Sequence, residues 1–571
     1  MTDWRWVGGG GRLTWYGDPG FSTFMRRAFA KGMGYTDEDL GRPIIGICNT
    51  WSELNHCNSH LREIAEAVKR GVWQAGGWPL EFPTISLGEI FLSPTSMLFR
   101  NLMAMDTEEM IRAQPMDGVV LLANCDKTTP AQLMGAVSAD LPAIMITGGP
   151  TLTGRWQGKD LGACTDCRKY WTEYRAGTIN DKEIGEIEES LFRSHGHCTV
   201  MGTASTMASI AEALGMMLPG AAAIPAPDSK RLRLAEESGR RIVGMVSEDL
   251  RPSQIVTRES IENAIRVCVA IGGSTNAVVH LIAIARRAGV ELPLDLWDEL
   301  SRETPFIAQI KPSGPYQMED FYDAGGVPAV MRELMPLLHR DSITVTGKSI
   351  SDNLADVPQT LRREVIASID EPFGPEGGIA VLRGNLAPSG AIVKHTAASP
   401  RLLHHRGKAV VFTSVEDMTN RINDPDLPVD ADSVLVLQNA GPVGGPGMPE
   451  AGMIPIPSKL LKQGVRDMVR ISDARMSGTA YGTVVLHVAP ESAVGGPLAA
   501  VRDGDEIELD VSGRRLTLHL SEAEIAERVA NRPARKPNEL TRRGHGWLYV
   551  NHVLQADEGV DFDFCAADWN G

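Results

Sequence analysis

Cys125, Asp126 and Lys127 stand in succession just past the apolar run VVLLA, residues 119–123. A soft sulfur, a hard carboxylate and an amine at one strand end suit two kinds of metal chemistry. An Asp in that position is a natural Mg²⁺ ligand. The lysine beside it has two readings. It is the ion-pair partner of the aspartate, or it is a desolvated amine that is neutral enough to take up CO₂ as a carbamate, itself an oxygen ligand. The residues alone leave both open.

Two more cysteines occupy similar places. Cys57 lies in ELNHCNSHL before a helical pattern, and Cys198 lies in SHGHCTVMGTAST on a turn before another. Three thiolates from three separate loops would suit zinc or an iron–sulfur cluster. The competing reading is Cys as a small buried hydrophobe. The Gly, His and Asn neighbours of Cys57 and Cys198 weaken it. Cys164 and Cys167 form CTDC, but no second CxxC follows and the flanks look polar and loop-like, so this pair is assigned no role. TVTGKSIS, 344–351, lacks the glycine that a phosphate loop needs; Ser342 stands there. The Gly-rich GPVGGPGMPEAGM, 441–453, could bring backbone amides near a ligand, a weak signal by itself.

The elements that must position these groups alternate along the first part of the chain. GRPIIGICNTW reads as a strand ending near Cys48, DGVVLLANC as a buried strand and PAIMITGG as the next. Helical spacing covers 60–76, 129–141, 202–216 and 274–289, the second opening with a Thr-Pro start signal. Strand–helix–strand order predicts a parallel sheet with helices on its faces. After about residue 370 the texture changes to short strands with Gly- and Pro-rich turns. The expected architecture is therefore α/β: an N-terminal parallel-sheet α/β/α domain over 1–370 and a C-terminal β-barrel-like domain over 371–571, joined through 349–378. Residues 1–35 read as an irregular Gly-rich lead. The aromatic tail GHGWLYVNHVLQADEGVDFDF is expected to dock on something, a neighbouring subunit being one candidate.

The chain has 571 residues, too many for one ordinary core. Its net charge is −16 with no basic run, which argues against a nucleic-acid partner. No apolar run approaches the roughly 18 residues of a membrane span, and the start shows no secretory pattern. A cytoplasmic location is expected, with the eight cysteines as reduced thiols or metal ligands rather than disulfides.

CDKTTPAQ, GHCTVMGTASTM, the Cys57 segment, GGPGMPE and DARMSGTAYG together resemble the dihydroxy-acid dehydratase and 6-phosphogluconate dehydratase family, from about residue 40 to the C-terminus. The tail and SLGEIFLSPTSM, 86–97, look most like its sugar-acid (aldonate) dehydratase branch. The resemblance implies that Cys57, Cys125 and Cys198 hold a [2Fe–2S] cluster, leaving one iron incompletely ligated by protein. It implies that Glu89, Asp126 and a carbamylated Lys127 hold Mg²⁺, with Glu450 a further acidic residue from the second domain. Ser477 matches the catalytic base, and Thr479 is close enough to assist. From its local sequence alone, Ser477 would be a turn serine. The implied reaction is loss of water from a 2,3-dihydroxy acid to give a 2-keto-3-deoxy acid, in a homodimer or homotetramer. His56 and His60 are candidates for distal hydroxyl contacts. Within the family the alternatives are dihydroxy-acid dehydratase of branched-chain amino-acid synthesis and 6-phosphogluconate dehydratase. From another class, the alternative is a non-catalytic iron–sulfur protein, which would need neither the Ser477 loop nor the Asp-Lys pair.

Overall fold

A computed structural model describes residues 19–532 and 539–566. Its first sheet holds four parallel strands: β1 (Ile44–Asn49), β2 (Trp78–Pro83), β3 (Gly118–Ala123) and β4 (Ala143–Thr147), in the order β2-β1-β3-β4. β1, β3 and β4 are buried throughout, as strands covered on both faces should be. Register shows what covers them. Gly118 pairs with Ile45, and a Cβ on Gly118 would touch Ile242 and Val246 of the helix Ser229–Glu248. Cys48 has the opposite parity along β1. Its sulfur meets Gln132 Nε2, 3.2 Å away, on the helix Thr128–Ala139. Helices therefore lie on both faces. Close approach between two of them is made possible by glycine. A Cβ on Gly71 of Leu61–Gln74 would strike the Glu236 carbonyl, and one on Gly239 the Val68 carbonyl.

The four helical patterns appear as Leu61–Gln74, Thr128–Ala139, Thr203–Ala213 and Asn276–Arg287. Two local expectations need correction. Of the lead expected to be irregular, residues 1–18 lie outside the described residues, while Pro19–Gly32 is a helix. Between Gly20 and Gly32 that stretch contains no Gly or Pro to break it. The CTDC segment is not a loop either. After a short hairpin of β5 (Gly154–Trp156) and β6 (Lys159–Leu161), Cys164 caps the helix Thr165–Ala176.

The second half closes into a barrel. Its strands are β7 (Ala380–Gly384), β8 (Ala387–Val393), β9 (His404–Phe412), β10 (Val434–Leu437), β11 (Arg470–Ser472), β12 (Val484–Ala489), β13 (Glu506–Asp510) and β14 (Arg515–Leu518). They run β10-β11-β12-β8-β7-β14-β13-β9 and back to β10, which leaves no open edge. β12 escaped the sequence reading because VVLHVA is a short apolar run without alternation. The segment before β7 turns back to the first domain, bridging Ala308 to Ile366 and Phe306 to Gly374. Lys394 follows β8 with its Nζ buried and without a hydrogen-bond partner among the described residues. Its near neighbour is Cys268 of the helix Arg258–Ala270.

The tail docks on the first domain of its own chain. Tyr549, Val560 and Phe562 are buried with Met97, Leu98 and Val279. Arg100 Nη2 donates to the Gly559 and Val560 carbonyls at 3.0 and 2.9 Å. Arg287 grips Asp561 through Nε and Nη2 at 2.9 and 3.0 Å. No helix among the described residues is long and apolar enough to cross a membrane.

Candidate active site

Parallel strands end on one side of a sheet, and ligands bind in the crevice there. Cys57, Cys125 and Cys198 follow the ends of β1, β3 and β4. Cys57 lies in the short turn His56–Asn58. Cys125 lies between β3 and the helix Thr128–Ala139, and its amide donates to Thr128 Oγ1 at 3.1 Å. Cys198 follows His197, which bridges to Pro150 beyond β4. Asn124 ties these ends together. Its Nδ2 donates to the Cys57 carbonyl at 2.8 Å and the Gly149 carbonyl at 2.9 Å, and its Oδ1 accepts from Gly149 N at 2.8 Å. The Cys57 thiol is hydrogen-bonded to Cys125, and this contact together with burial pushes it well above the usual thiol range. His60 is buried, with Nε2 3.0 Å from the Gly148 carbonyl and its ring stacked on His195 at 4.2 Å. Burial pushes it down to about 3, so it is neutral at physiological pH.

The oxygen donors gather beside the thiols. Lys127 Nζ is fully buried and lies 2.5 Å from Asp126 Oδ2. Burial raises the Asp126 carboxyl, but Lys127 outweighs it and holds it below the usual range. Cys125 Sγ is 3.4 Å from Asp126 Oδ1, so the sulfur and oxygen sets touch. Glu89 accepts from Thr95 Oγ1 at 2.8 Å, from Ser96 N at 3.0 Å and from the Ser96 hydroxyl. Glu450 arrives from the barrel domain. Burial first, and then the Glu89 charge, raise its carboxyl above the usual range, against the pull of Lys127 and Arg475.

Ser477 and Thr479 lie on the loop after β11, their hydroxyls 2.9 Å apart. That loop packs on the segment carrying Cys198. A Cβ on Gly478 would lie 2.6 Å from Thr203 N, and one on Gly202 would lie 2.8 Å from Thr479 Cγ2. The site therefore lies in the seam between the two domains.

Three groups that sequence reasoning passed over hold this seam. Arg475, fully buried, donates from Nη1 to Glu450 Oε1 at 3.3 Å, from Nη2 to Thr95 Oγ1 at 3.1 Å and from Nε to the Met448 carbonyl at 2.9 Å. Asn276 Nδ2 reaches Thr203 Oγ1 at 2.9 Å, the Met476 carbonyl at 3.1 Å and Glu450 Oε1 at 3.4 Å. The Gly-Gly before Asn276 and the DAR before Met476 were the available signals. Third, Cys164 Sγ lies 2.8 Å from Cys198 Sγ, so the CTDC pair adjoins the site.

Does this set fit the two groups that the family motifs imply? Among the described residues, no three His, Cys, Asp or Glu side chains already close on a single point, so the match lies in donor chemistry. Glu89, Asp126 and Glu450 are three carboxylates facing two cations, Lys127 and Arg475, and Glu450 is pushed up by burial and then by the Glu89 charge. A hard divalent cation answers that excess. Cys57, Cys125 and Cys198 offer soft sulfur from three loops, as iron–sulfur ligation requires. Both sets fit.

Residues 42–353 match the dihydroxy-acid/6-phosphogluconate dehydratase N-terminal family and residues 364–560 its C-terminal counterpart. The chain is 53% identical to the L-arabinonate dehydratase of Rhizobium leguminosarum bv. trifolii, covering 96% of this chain and 95% of the relative. It is 54% identical to the L-arabonate dehydratase of Azospirillum brasilense, covering 96% of each. It is 50% identical to the 6-deoxy-6-sulfo-D-gluconate dehydratase of Pseudomonas putida, covering 97% of this chain and 96% of that one.

Proposed function

The chain belongs to the dihydroxy-acid/6-phosphogluconate dehydratase family, and on that premise we propose that it is a sugar-acid dehydratase, a hydro-lyase converting an aldonate to its 2-keto-3-deoxy acid. The observation that carries the reaction is the seam itself. A barrel-domain hydroxyl pair packs against the segment that follows Cys198, and the soft sulfur and hard carboxylate sets touch at Cys125 and Asp126. The aldonate class is supported by relatives named for arabinonate and sulfogluconate at 50–54% identity over nearly their whole length.

Cys57, Cys125 and Cys198 would hold the [2Fe–2S] cluster. Glu89, Asp126, Glu450 and a carbamylated Lys127 would hold Mg²⁺. When bound, the two supply Lewis acidity toward the substrate carboxylate, the C2 oxygen and the departing C3 oxygen. The protein's own task is the proton. Ser477 Oγ takes it from C2, and Thr479 Oγ1, 2.9 Å away, donates a hydrogen bond that stabilises the serine oxygen as it becomes a base and keeps it aimed. Arg475 and Asn276 keep Glu450 and the Met476 backbone in place, so the base and the carboxylates share one frame. Burial of this frame keeps bulk water from reprotonating C2. The enol left by elimination then tautomerises to the 2-keto acid.

A homo-oligomer is part of this reading. It is supported by Phe24 and Phe29, which the helix Pro19–Gly32 leaves exposed, and by the exposed Met33 just after it.

The test uses anaerobically purified protein with Mg²⁺ and a panel of C5 and C6 aldonates, with 2,3-dihydroxyisovalerate as comparator and Ser477→Ala as control. Formation of 2-keto acid from an aldonate, abolished in the variant, supports the reading and names the substrate. Turnover of 2,3-dihydroxyisovalerate alone moves the chain to the amino-acid branch. No turnover by protein with measured iron, sulfide and Mg²⁺ refutes the catalytic assignment.

A further inference from the structure

Three thiols lie in a row beside the site. Cys164 Sγ is 2.8 Å from Cys198 Sγ, longer than the roughly 2.0 Å of an S–S bond and shorter than an ordinary contact between two sulfurs. On its other side Cys164 meets Cys167. Its amide donates to Cys167 Sγ at 3.1 Å, and the two thiols are hydrogen-bonded. Cys164 thus touches both of the others.

The backbone holds it there. Cys164 has φ 73° and ψ −36°, a conformation that L side chains seldom adopt and that persists only when its surroundings enforce it. The surroundings do enforce it. Ala163 N donates to Thr199 Oγ1 at 2.9 Å, fixing the turn to the residue after Cys198. Asp166 accepts from Gly162 N at 2.5 Å and pairs with Lys311 at 2.6 Å. All three cysteines are only partly buried, so a small oxidant can reach them.

We propose that Cys198, Cys164 and Cys167 form a thiol relay that draws Cys198 into a reversible disulfide when the chain meets hydrogen peroxide, and then hands the disulfide on to Cys164 and Cys167. This rests on the reading of Cys198 as a cluster ligand. The first step acts on Cys198 as a thiol free of the cluster and breaks the peroxide O–O bond. One oxygen goes to Cys198 as sulfenic acid and the other leaves as water. Cys164 sulfur then attacks Cys198 sulfur; the S–S bond forms, the S–O bond breaks, and the hydroxyl leaves as a second water with the Cys164 proton. Cys167 sulfur next attacks Cys164. The 164–167 bond forms, the 164–198 bond breaks, and Cys198 returns as a thiol with the proton that Cys167 gives up. Two electrons pass in all, from two thiols to one peroxide. A ligand that would otherwise climb to irreversible sulfinic acid is returned reduced, and the oxidation is parked on a CxxC pair that a dithiol can reduce.

The experiment maps disulfides in the full-length chain. Anaerobic protein is treated with hydrogen peroxide, alkylated, digested without reductant and analysed by mass spectrometry. Iron and sulfide are measured beforehand, and those values report separately on the cluster assignment. We expect a Cys164–Cys167 disulfide in the wild type and a trapped Cys164–Cys198 disulfide in Cys167→Ser. In Cys164→Ser we expect neither, with Cys198 recovered as sulfinic acid. Untreated Cys164→Ser should carry as much iron and sulfide as the wild type. After dithiothreitol, iron and sulfide, cluster absorbance should return in the oxidised wild type and not in oxidised Cys164→Ser. Two results overturn the proposal. One is wild-type Cys164 and Cys167 both alkylated while Cys198 is oxidised, or Cys198 joined instead to Cys57 or Cys125. The other is loss of the cluster from untreated Cys164→Ser, which would make Cys164 part of the cluster's own support.

Discussion

Replacing Lys394 by methionine should stabilise the protein at neutral pH. The amine is fully enclosed at the junction of barrel and first domain, with no hydrogen-bond partner among the described residues. Burial pulls it down from 10.5 to about 7. The unfolded chain therefore holds this proton up to about pH 10.5, and the folded chain releases it near 7. Between those values the unfolded state binds more protons, so wild-type stability rises with pH across the window and is flat below it. Below pH 7 the full penalty of burying a charge is present, up to about 5 kcal/mol from the size of the shift. Relaxation and water entry reduce that ceiling, and a gain of about 2–3 kcal/mol for Lys394→Met at pH 7 is expected, shrinking toward zero near pH 10. Methionine has nearly the same length and needs no partner. Urea unfolding of wild type and variant at pH 7 and pH 9.5, followed by fluorescence, measures both quantities. A variant equal to or less stable than wild type at pH 7, or one with an unchanged pH slope, refutes the reasoning.

The other predictions concern the site and its supports. Ser477→Ala should lower kcat by about 10²–10⁴-fold with little change in KM or iron content, checked by steady-state kinetics and metal analysis. Lys127→Arg keeps a cation but cannot form a carbamate; Mg²⁺-dependent turnover should vanish while iron and sulfide remain. Cys57→Ser should lose the visible absorbance of the cluster, read on anaerobic protein. Glu491, buried against the Val443 and Gly444 amides, is raised by burial to about 7. Its folded value lies above its unfolded one, so it costs stability progressively from about pH 4.5 to 7. Glu491→Gln should flatten that part of the melting-temperature profile.

Much of this molecule was legible in the sequence, and what was missed shares a cause. Strand ends and helix starts announce themselves locally: VVLLA before Cys125, and Thr-Pro opening the helix behind it, both lie where they were expected. The barrel's β12 did not, because five apolar residues around His487, without alternation, do not show their partners. Arg475 and Asn276 carry no local signal of their task. Arg475 reaches Thr95, 380 positions away, and Asn276 reaches Met476, 200 positions away. Cys164 was discounted for standing in a polar stretch. Its meaning lies in a contact with Cys198, which no count along the chain provides. The tail was read as a docking segment, but composition could not say onto which surface.

That tail also sets an order of manufacture. Cys57, Cys125, Cys198 and Asp126 leave the ribosome early, Glu450 and Ser477 long after them, and the segment around Asp561 later still. Yet Asp561 locks onto Arg287, and Val560 onto Arg100, deep in the part made first. The nascent first domain must therefore wait, with two buried arginines short of these partners, until that segment arrives. A chain truncated after Gly559 would keep every residue assigned to the chemistry and still lack the clasp on which the first domain closes.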